Sequence, residues 1–213
     1  MVTPRFRTGV TDLLPFVGLS LVVIVTPGQD TALTIRNSLR GGSRAGVRTA
    51  IGVSAGQATW TLVTAAGLTG VLAASGEAYA ALRFAGIGYL LYLGGQSLAA
   101  AVRGSSTLSI RAGVANPDAK PASALFEGLI SNLTNPKMLA FFPSLLPQFG
   151  DSLPGLVSHG LGFSLMTMVW LTAYALAVAR LGNVLLRPTI LRSLEALTGA
   201  CLIGFAAHMW ATS

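Results

Sequence analysis

The chain has 213 residues, of which 52% are hydrophobic and only 10% are charged, with a formal net charge of +7. Ordinary soluble domains carry about 25% charged residues, so this composition cannot cover a water-facing surface and excludes a typical soluble domain. At roughly 20 apolar residues per spanning helix, the length allows about six transmembrane helices and no separate soluble domain.

The apolar runs, separated by charged or Gly/Pro-rich breaks, predict an all-α integral membrane protein with six transmembrane helices. In chain order they cover residues 12–34, 46–70, 78–101, 122–146, 153–179 and 190–211. Arg5 and Arg7 precede the first run as they would in a signal peptide, but no small-residue cleavage site closes the run. We therefore expect it to be the first transmembrane helix.

Most of the basic residues lie at or between the ends of the apolar runs. Ten of them lie in, or within three residues of, the connections after the first, third and fifth runs: Arg36, Arg40, Arg44, Arg48, Arg103, Arg111, Lys120, Arg180, Arg187 and Arg192. The positive-inside rule places these connections in the cytoplasm and both termini outside, periplasmic or extracellular. Basic loops beside anionic lipid account for the net charge, so the lipid bilayer is a predicted partner and nucleic acid is not.

The most polar connection, residues 103–121, is predicted to be a cytoplasmic linker. It separates a first three-helix repeat, residues 1–102, from a second, residues 122–213. Because three is an odd number of spans, the second repeat must enter the membrane upside down relative to the first. The predicted architecture is therefore two inverted three-helix repeats.

The first helix is predicted to break inside the membrane. If it ended at the break, its apolar run would be about 14 residues, too short for a hydrocarbon core of about 30 Å. The residues of this break are Thr26, Pro27, Gly28, Gln29 and Asp30.

The fourth helix is predicted to break in the same way, because a helix that began only at the break would again be too short. This second break contains Asn132, Asn135, Pro136 and Lys137. The two halves therefore break at corresponding places.

Each break resembles a helix start, with a capping residue followed by proline at the first helical position: Thr26–Pro27 and Asn135–Pro136. The free N–H groups and positive dipole end of such a half-helix attract a carboxylate. An inverted pair would present two such ends to the middle of the membrane, which suits an amino acid.

Asp30 and Lys137 are predicted to lie within the membrane, where a lone charge costs at least about 2.5–3.5 kcal/mol. One hypothesis is that Asp30 contacts the substrate ammonium group or carries a coupling proton, while Lys137 balances Asp30 or meets the substrate carboxylate. The structural alternative is an ion pair that locks the two halves together.

Further candidate residues lie on the second and third helices. Gly52 and Gly56 form a small-residue face suited to close helix packing. Gln57 is a candidate hydrogen-bond donor to the substrate. On the third helix, Arg83 is a candidate helix-end anchor or gate. Tyr89 and Tyr92 on the same helix carry hydroxyl groups that need hydrogen-bond partners inside the membrane.

Neither a cofactor nor a metal site is predicted. Cys201 is the single cysteine, and the two histidines, His159 and His208, lie on different spans without a partner at metal-binding spacing. No serine-hydrolase or metalloprotease motif is present, so an intramembrane enzyme is an alternative with no motif in its favour.

Four segments in order carry a resemblance to a known family: Thr26–Asp30, Arg36–Gly46, Leu82–Gly94 and Asn132–Lys137. In that order they are similar to four elements of the lysine exporter and homoserine/threonine-resistance (LysE/RhtB) translocators. These are the Pro-Gly-Pro segment, the basic first cytoplasmic loop, the third-span signature basic-x-x-Gly-x-x-Tyr-Leu-x-Tyr-Leu-Gly and the Asn-Pro-Lys element. The chain departs from that pattern at Gln29, where proline is common.

The resemblance implies an amino-acid efflux carrier of the bacterial inner membrane, a secondary transporter with amino acid and protons as its partners. An exporter of another small solute or a cation on the same fold is the alternative that the residues leave open. The glycine-rich faces would also allow a homodimer.

Overall fold

The computed structural model describes residues 10–74, 76–104, 123–150, 152–185 and 188–211. The helices are α1 (Val10–Val25), α2 (Gln29–Ala74), α3 (Gly76–Arg103), α4 (Ser123–Leu133), α5 (Pro136–Leu145), α6 (Leu153–Leu185) and α7 (Pro188–Ala211), with a short 3-10 helix at Leu146–Gln148. The predicted all-α class is confirmed. The predicted linker at 103–121 lies almost entirely outside the described residues.

Both predicted helix breaks are present. α1 ends at Val25 and α2 begins at Gln29, and the two helices are bent by 52° at this point. In the second half, α4 ends at Leu133 and α5 begins at Pro136. The breaks in the first and fourth predicted spans are therefore confirmed.

The described part of the chain contains two helices that are long and apolar enough to cross a membrane, Phe84–Arg103 and Leu153–Arg180. The bent pair Leu13–Val25 and Gln29–Gly67 would make a third if it forms one span. The full set of six spans stays a prediction.

The first basic connection differs from the predicted loop, because α2 is helical on both sides of Gly42. Asn37 Nδ2 donates a hydrogen bond to Thr49 Oγ1 over 2.9 Å, although residues 12 apart in a continuous helix would be about 18 Å apart. The chain therefore reverses direction at Gly42, whose φ of 68° and ψ of −173° are essentially restricted to glycine. The reversal lies within the predicted connection between the runs 12–34 and 46–70, but the connection is shorter than predicted because one glycine makes the whole turn.

The second part of α2 packs antiparallel to α6. A methyl group added at Gly46 would lie 2.7 Å from Ala175 Cβ, and one added at Gly160 would collide with Thr61. Because the earlier residue of α2 meets the later residue of α6, the two helices run in opposite directions.

α3 and α7 form a second antiparallel pair. The rings of Phe84 and Trp210 make an edge-on contact with centroids 5.8 Å apart. Further along, a methyl group added at Gly199 would lie 2.8 Å from the carbonyl oxygen of Gly94. The two backbones can approach this closely because both residues lack a Cβ.

The distribution of polar and apolar side chains suits a lipid surround. Polar side chains with 0% exposure include Ser20, Thr34, Thr49, Thr61 and Asn132. Large apolar side chains that are more than half exposed include Leu14, Leu62, Val63, Leu165, Val169 and Leu197. Soluble proteins instead place most serine and threonine side chains outside, so the exterior here matches hydrocarbon.

The second part of α2 also lies against α4, and glycines make this contact possible. A methyl group added at Gly52 would collide with the carbonyl oxygen of Leu125, and one added at Gly56 would lie 2.8 Å from Asn132 Cβ. On the facing helix, a methyl group added at Gly128 would collide with the carbonyl oxygen of Thr49. Gly52 and Gly56 therefore set the distance between the two halves.

We expect Gly52→Ala to lower the thermal unfolding midpoint of the purified protein in detergent. The added methyl group would press on backbone atoms of α4, and overpacking of this kind typically costs about 1–3 kcal/mol. Gly67→Ala in the same helix is the matched control, because nothing lies within 4 Å of its added Cβ. Alanine is the better helix former, so a midpoint for Gly67→Ala at or above wild type is expected. Equal midpoints for the two variants would contradict the close contact.

Candidate functional site

In the first break, Thr26 bonds to the end of α1 and does not cap α2. The backbone N–H and the hydroxyl group of Thr26 both donate to the carbonyl oxygen of Val22, over 3.1 Å and 2.6 Å. The first hydrogen bond of α2 runs from Ala32 N to the Gly28 carbonyl oxygen over 2.9 Å. The predicted capping role of Thr26, with Pro27 as first helical residue, was therefore wrong, and Gly28 occupies the cap position. The hydroxyl group instead satisfies a carbonyl of the preceding turn.

The second break has the predicted cap. Asn135 Oδ1 accepts a hydrogen bond from the backbone N–H of Lys137 over 3.0 Å, and Pro136 is the first residue of α5. Proline suits this position because its missing N–H would have no helical partner there. The start of α5 is thus fixed by two neighbouring residues.

The buried carboxylate of Asp30 is held by the second break. Its Oδ1 accepts from Ser131 Oγ over 2.9 Å, and its Oδ2 accepts from Asn132 Nδ2 over 2.8 Å and from Asn135 Nδ2 over 3.0 Å. Asp30 also lies in the first turn of α2, at the positive end of the helix dipole. Neutral donors from the opposite half therefore stabilise this charge.

The ammonium group of Lys137 is held by the first break. Its Nζ donates to the carbonyl oxygen of Val23 over 2.9 Å and to that of Thr26 over 3.4 Å. These carbonyls lie at the end of α1, where they have no helical partner and the dipole is negative. Each break thus binds the charge carried by the other half.

Asp30 and Lys137 interact electrostatically but do not form a direct ion pair. Arg36 and Glu127 do form an ion pair, which links α2 to α4. The direct ion pair between Asp30 and Lys137, which was the structural alternative, is therefore absent. Side-chain hydroxyl and amide groups hold Asp30, and backbone carbonyls hold Lys137.

A cavity of about 330 Å³ lies where the two breaks meet, and we call it the central cavity. It is lined by residues of both breaks, of α3 and of α7: Thr26, Pro27, Gly28, Gln29, Tyr89, Tyr92, Leu93, Gln96, Ser97, Ala100, Asn135, Pro136, Lys137 and Glu195. Most of the residues predicted to bind the substrate are therefore brought together. Its volume falls at the lower end of the range for small-molecule sites.

Asp30 and Gln57 lie outside the central cavity, on a void of about 20 Å³ that Lys137 also lines. Gln57 Nε2 contacts Met138 Sδ at 3.7 Å, while its Oε1 is buried without a hydrogen-bond partner. Asn132 Oδ1 is likewise buried and unpartnered. The void that Gln57 lines can hold about one water molecule, which can donate a hydrogen bond to Gln57 Oε1.

The remaining predicted residues lie on α3. The Tyr89 hydroxyl group is buried without a partner, whereas the Tyr92 hydroxyl group accepts from Gln96 Nε2 over 2.6 Å. Arg83 belongs to the same helix, but its side chain is outside the described part of the structure. No group of three or more His, Cys, Asp or Glu side chains within the described residues could hold a metal ion.

Sequence reasoning missed two residues of the site. Ser131 is a small polar residue like many others, and only the folded chain shows that it donates to Asp30. Glu195 is different, because it is a carboxylate inside the last apolar run, and an ionisable residue in a span is by default a functional candidate. It is 2% exposed and lines the central cavity.

A larger, more open cleft of about 590 Å³ lies between the first part of α2 and α4. Its charged residues are Arg36 and Glu127, which bind each other. Gln29 lines both this cleft and the central cavity. The central cavity is the better candidate site because it contains both helix breaks.

The chain is similar in sequence to several known membrane proteins. The family model described as LysE type translocator matches residues 21–213. A leucine efflux protein of Klebsiella pneumoniae is 29% identical over 210 residues, covering 94% of this chain and 95% of the relative. An uncharacterized membrane protein of Bacillus subtilis, YrhP, is 25% identical over 202 residues, covering 91% and 96%. No solved structure gives a significant match.

We expect Asn135→Ala to lower the thermal unfolding midpoint strongly. The substitution removes the cap of α5, worth about 1 kcal/mol, and a donor to a buried carboxylate, worth about 1.5–3 kcal/mol. Asn135→Ser should recover part of the loss by restoring the cap alone. Thr134→Ala is the matched control, because that exposed hydroxyl group donates only to carbonyls of its own helix. A loss in Thr134→Ala as large as in Asn135→Ala would contradict the assigned roles.

Proposed function

The chain belongs to the LysE type translocator family, and from this membership we propose that it is a secondary transporter that exports amino acids or close derivatives from the cytoplasm, driven by the proton gradient. The proposed location is the bacterial inner membrane, with both termini outside the cytoplasm. Two relatives that are named leucine efflux protein support amino-acid cargo.

The observation that carries the proposal is the central cavity, because it lies at the meeting point of both helix breaks. The breaks supply polar backbone and amide groups in an otherwise apolar part of the chain. Broken helices of two repeats that meet at a small-molecule cavity are the usual arrangement for binding in secondary transporters.

Lys137 is the proposed site for the substrate carboxylate. An ammonium group has three N–H donors, and the carbonyls of Val23 and Thr26 take two of them. The side chain also lines the central cavity, so a carboxylate there can accept the third. We propose Asp30 as an anchor of the second break or a carrier of the coupling proton, because it does not line this cavity.

The proposed architecture is six spans in two inverted repeats, residues 1–102 and 122–213. In such an arrangement the second and fifth spans correspond, as do the third and sixth, and each pair has opposite directions. The antiparallel contacts of α2 with α6 and of α3 with α7 support this correspondence.

We expect inverted membrane vesicles that contain the protein to take up labelled leucine when a proton gradient is applied. Lys137→Gln should reduce that uptake at least about tenfold, since it removes a charge-assisted hydrogen bond worth about 1.5–3 kcal/mol. Thr134→Ala should transport like wild type. Detergent-purified variants with unchanged unfolding midpoints would show that the loss is not a folding defect.

A panel of other amino acids, small cations and a metal ion in the same vesicles tests the cargo. Uptake of no amino acid by inserted and folded protein would overturn the proposed function. Uptake that continues after the gradient is dissipated would overturn proton coupling alone.

Exchanging the charges of Asp30 and Lys137 should not restore transport. In Asp30→Lys combined with Lys137→Asp, the new carboxylate would face the carbonyl oxygens of Val23 and Thr26, which are also acceptors. We expect uptake to stay below about a tenth of wild type, as in each single variant.

The directly paired residues provide the matched control for this exchange. Arg36→Glu combined with Glu127→Arg keeps two opposite charges in contact, so its unfolding midpoint should exceed that of either single variant. If the Asp30 and Lys137 exchange restored transport to near the wild-type rate, a direct pair between those two residues would have to form.

A further inference from the structure

Glu195 is a buried carboxylate in α7 at the central cavity, and the mechanism above does not use it. It is 2% exposed, lines the cavity together with Lys137, and interacts electrostatically with that side chain. A charged group at this depth costs at least about 2.5–3.5 kcal/mol on insertion scales, so an ionisable residue here is by default a functional candidate. Its position in the cavity lining is one that a cationic group of a ligand would contact.

The charged groups that line the central cavity, as far as the structure describes it, are Lys137 and Glu195. One cation and one carboxylate in the same cavity are complementary to a zwitterion, which has a carboxylate and an ammonium group on adjacent atoms. Asp30 is a poorer partner for an ammonium group because its two oxygens accept three hydrogen bonds and do not line this cavity.

We propose that Glu195 binds the ammonium group of the transported amino acid while Lys137 binds its carboxylate, so that the central cavity selects zwitterions with uncharged side chains. This inference rests on the proposed function, and it names the substrate class and a residue that determines it.

The rest of the cavity is consistent with this selection. The wall formed by α3 contributes aromatic, apolar and neutral polar side chains, from Tyr89 to Ala100. A third charge, on a lysine or glutamate substrate, would meet no opposite charge on that wall and would be desolvated without compensation. The buried Tyr89 hydroxyl group, which has no hydrogen-bond partner among the described residues, can bond a second substrate oxygen.

Binding competition separates this role from a purely structural one. The probe is labelled leucine bound to the purified protein in detergent. The competitors are leucine methyl ester, which keeps the ammonium group but lacks the carboxylate, and 4-methylpentanoate, which keeps the carboxylate but lacks the ammonium group. Wild type should prefer leucine to both competitors.

In Glu195→Gln, the preference for leucine over 4-methylpentanoate should fall by about tenfold or more, because the lost charge acts only on the ammonium group. The preference over the methyl ester should instead fall in Lys137→Gln. Glu127→Gln is the matched control, since that carboxylate binds Arg36 outside the central cavity, and it should leave both preferences unchanged.

A structural role for Glu195 predicts a different result, in which Glu195→Gln lowers stability and all affinities but leaves the preference over 4-methylpentanoate unchanged. That result would overturn the inference while leaving leucine transport, and so the proposed function, intact. Failure of folded wild type to bind leucine would overturn the inference and the assignment of neutral amino acids together.

Glu195→Asp keeps the test valid if Glu195→Gln does not fold. The shorter side chain retains the charge but leaves room beside the ammonium group. It should therefore raise the affinity for N-methylleucine relative to leucine, compared with wild type. An unchanged ratio would overturn the assignment of the ammonium group to Glu195.

Discussion

Each half of this molecule stabilises a charge that is carried by the other half. Asp30 is held by Ser131, Asn132 and Asn135 of the second break, and Lys137 by the carbonyls at the end of α1. An unpartnered charge in hydrocarbon costs at least about 2.5–3.5 kcal/mol, so neither half is complete alone. Satisfying both charges forces the two breaks to face each other, and the central cavity is the space left between them.

This arrangement would link ligand binding to the shape of the protein. The carbonyls of α1 and an incoming carboxylate would share one ammonium group, so binding would weaken the contacts of Lys137 with Val23 and Thr26. Those contacts tie α5 to α1, whereas the amides around Asp30 tie α4 and α5 to α2. A ligand in the cavity would therefore weaken the contacts of Lys137 more than those of Asp30. A movement of one half against the other, as the proposed transport cycle requires, would begin at the weakened contacts.

The features that sequence reasoning predicted correctly are those fixed by local chemistry. The Asn135–Pro136 helix start was predictable because a cap and a fixed φ angle act within three residues. The same pattern failed at Thr26, where the hydroxyl group bonds a carbonyl of the preceding turn. The reversal at Gly42 and the donor role of Ser131 depend on contacts between distant segments, and no local pattern encodes them. Glu195 did carry a signal, as an acid in an apolar run, but its neighbourhood with Lys137 appears only in the fold.

Gln29 shows how one departure from the resembled family pattern is accommodated. Proline at this first position of α2 would fix φ locally, whatever the rest of the protein does. The glutamine side chain instead reaches the opposite half, where its Nε2 donates to the carbonyl oxygen of Ser131 over 3.2 Å. That bond exists only while α2 and α4 keep their present arrangement. A hydrogen bond between the two halves has thus replaced the local restriction of φ that proline would impose. Movement of one half against the other would break this hydrogen bond.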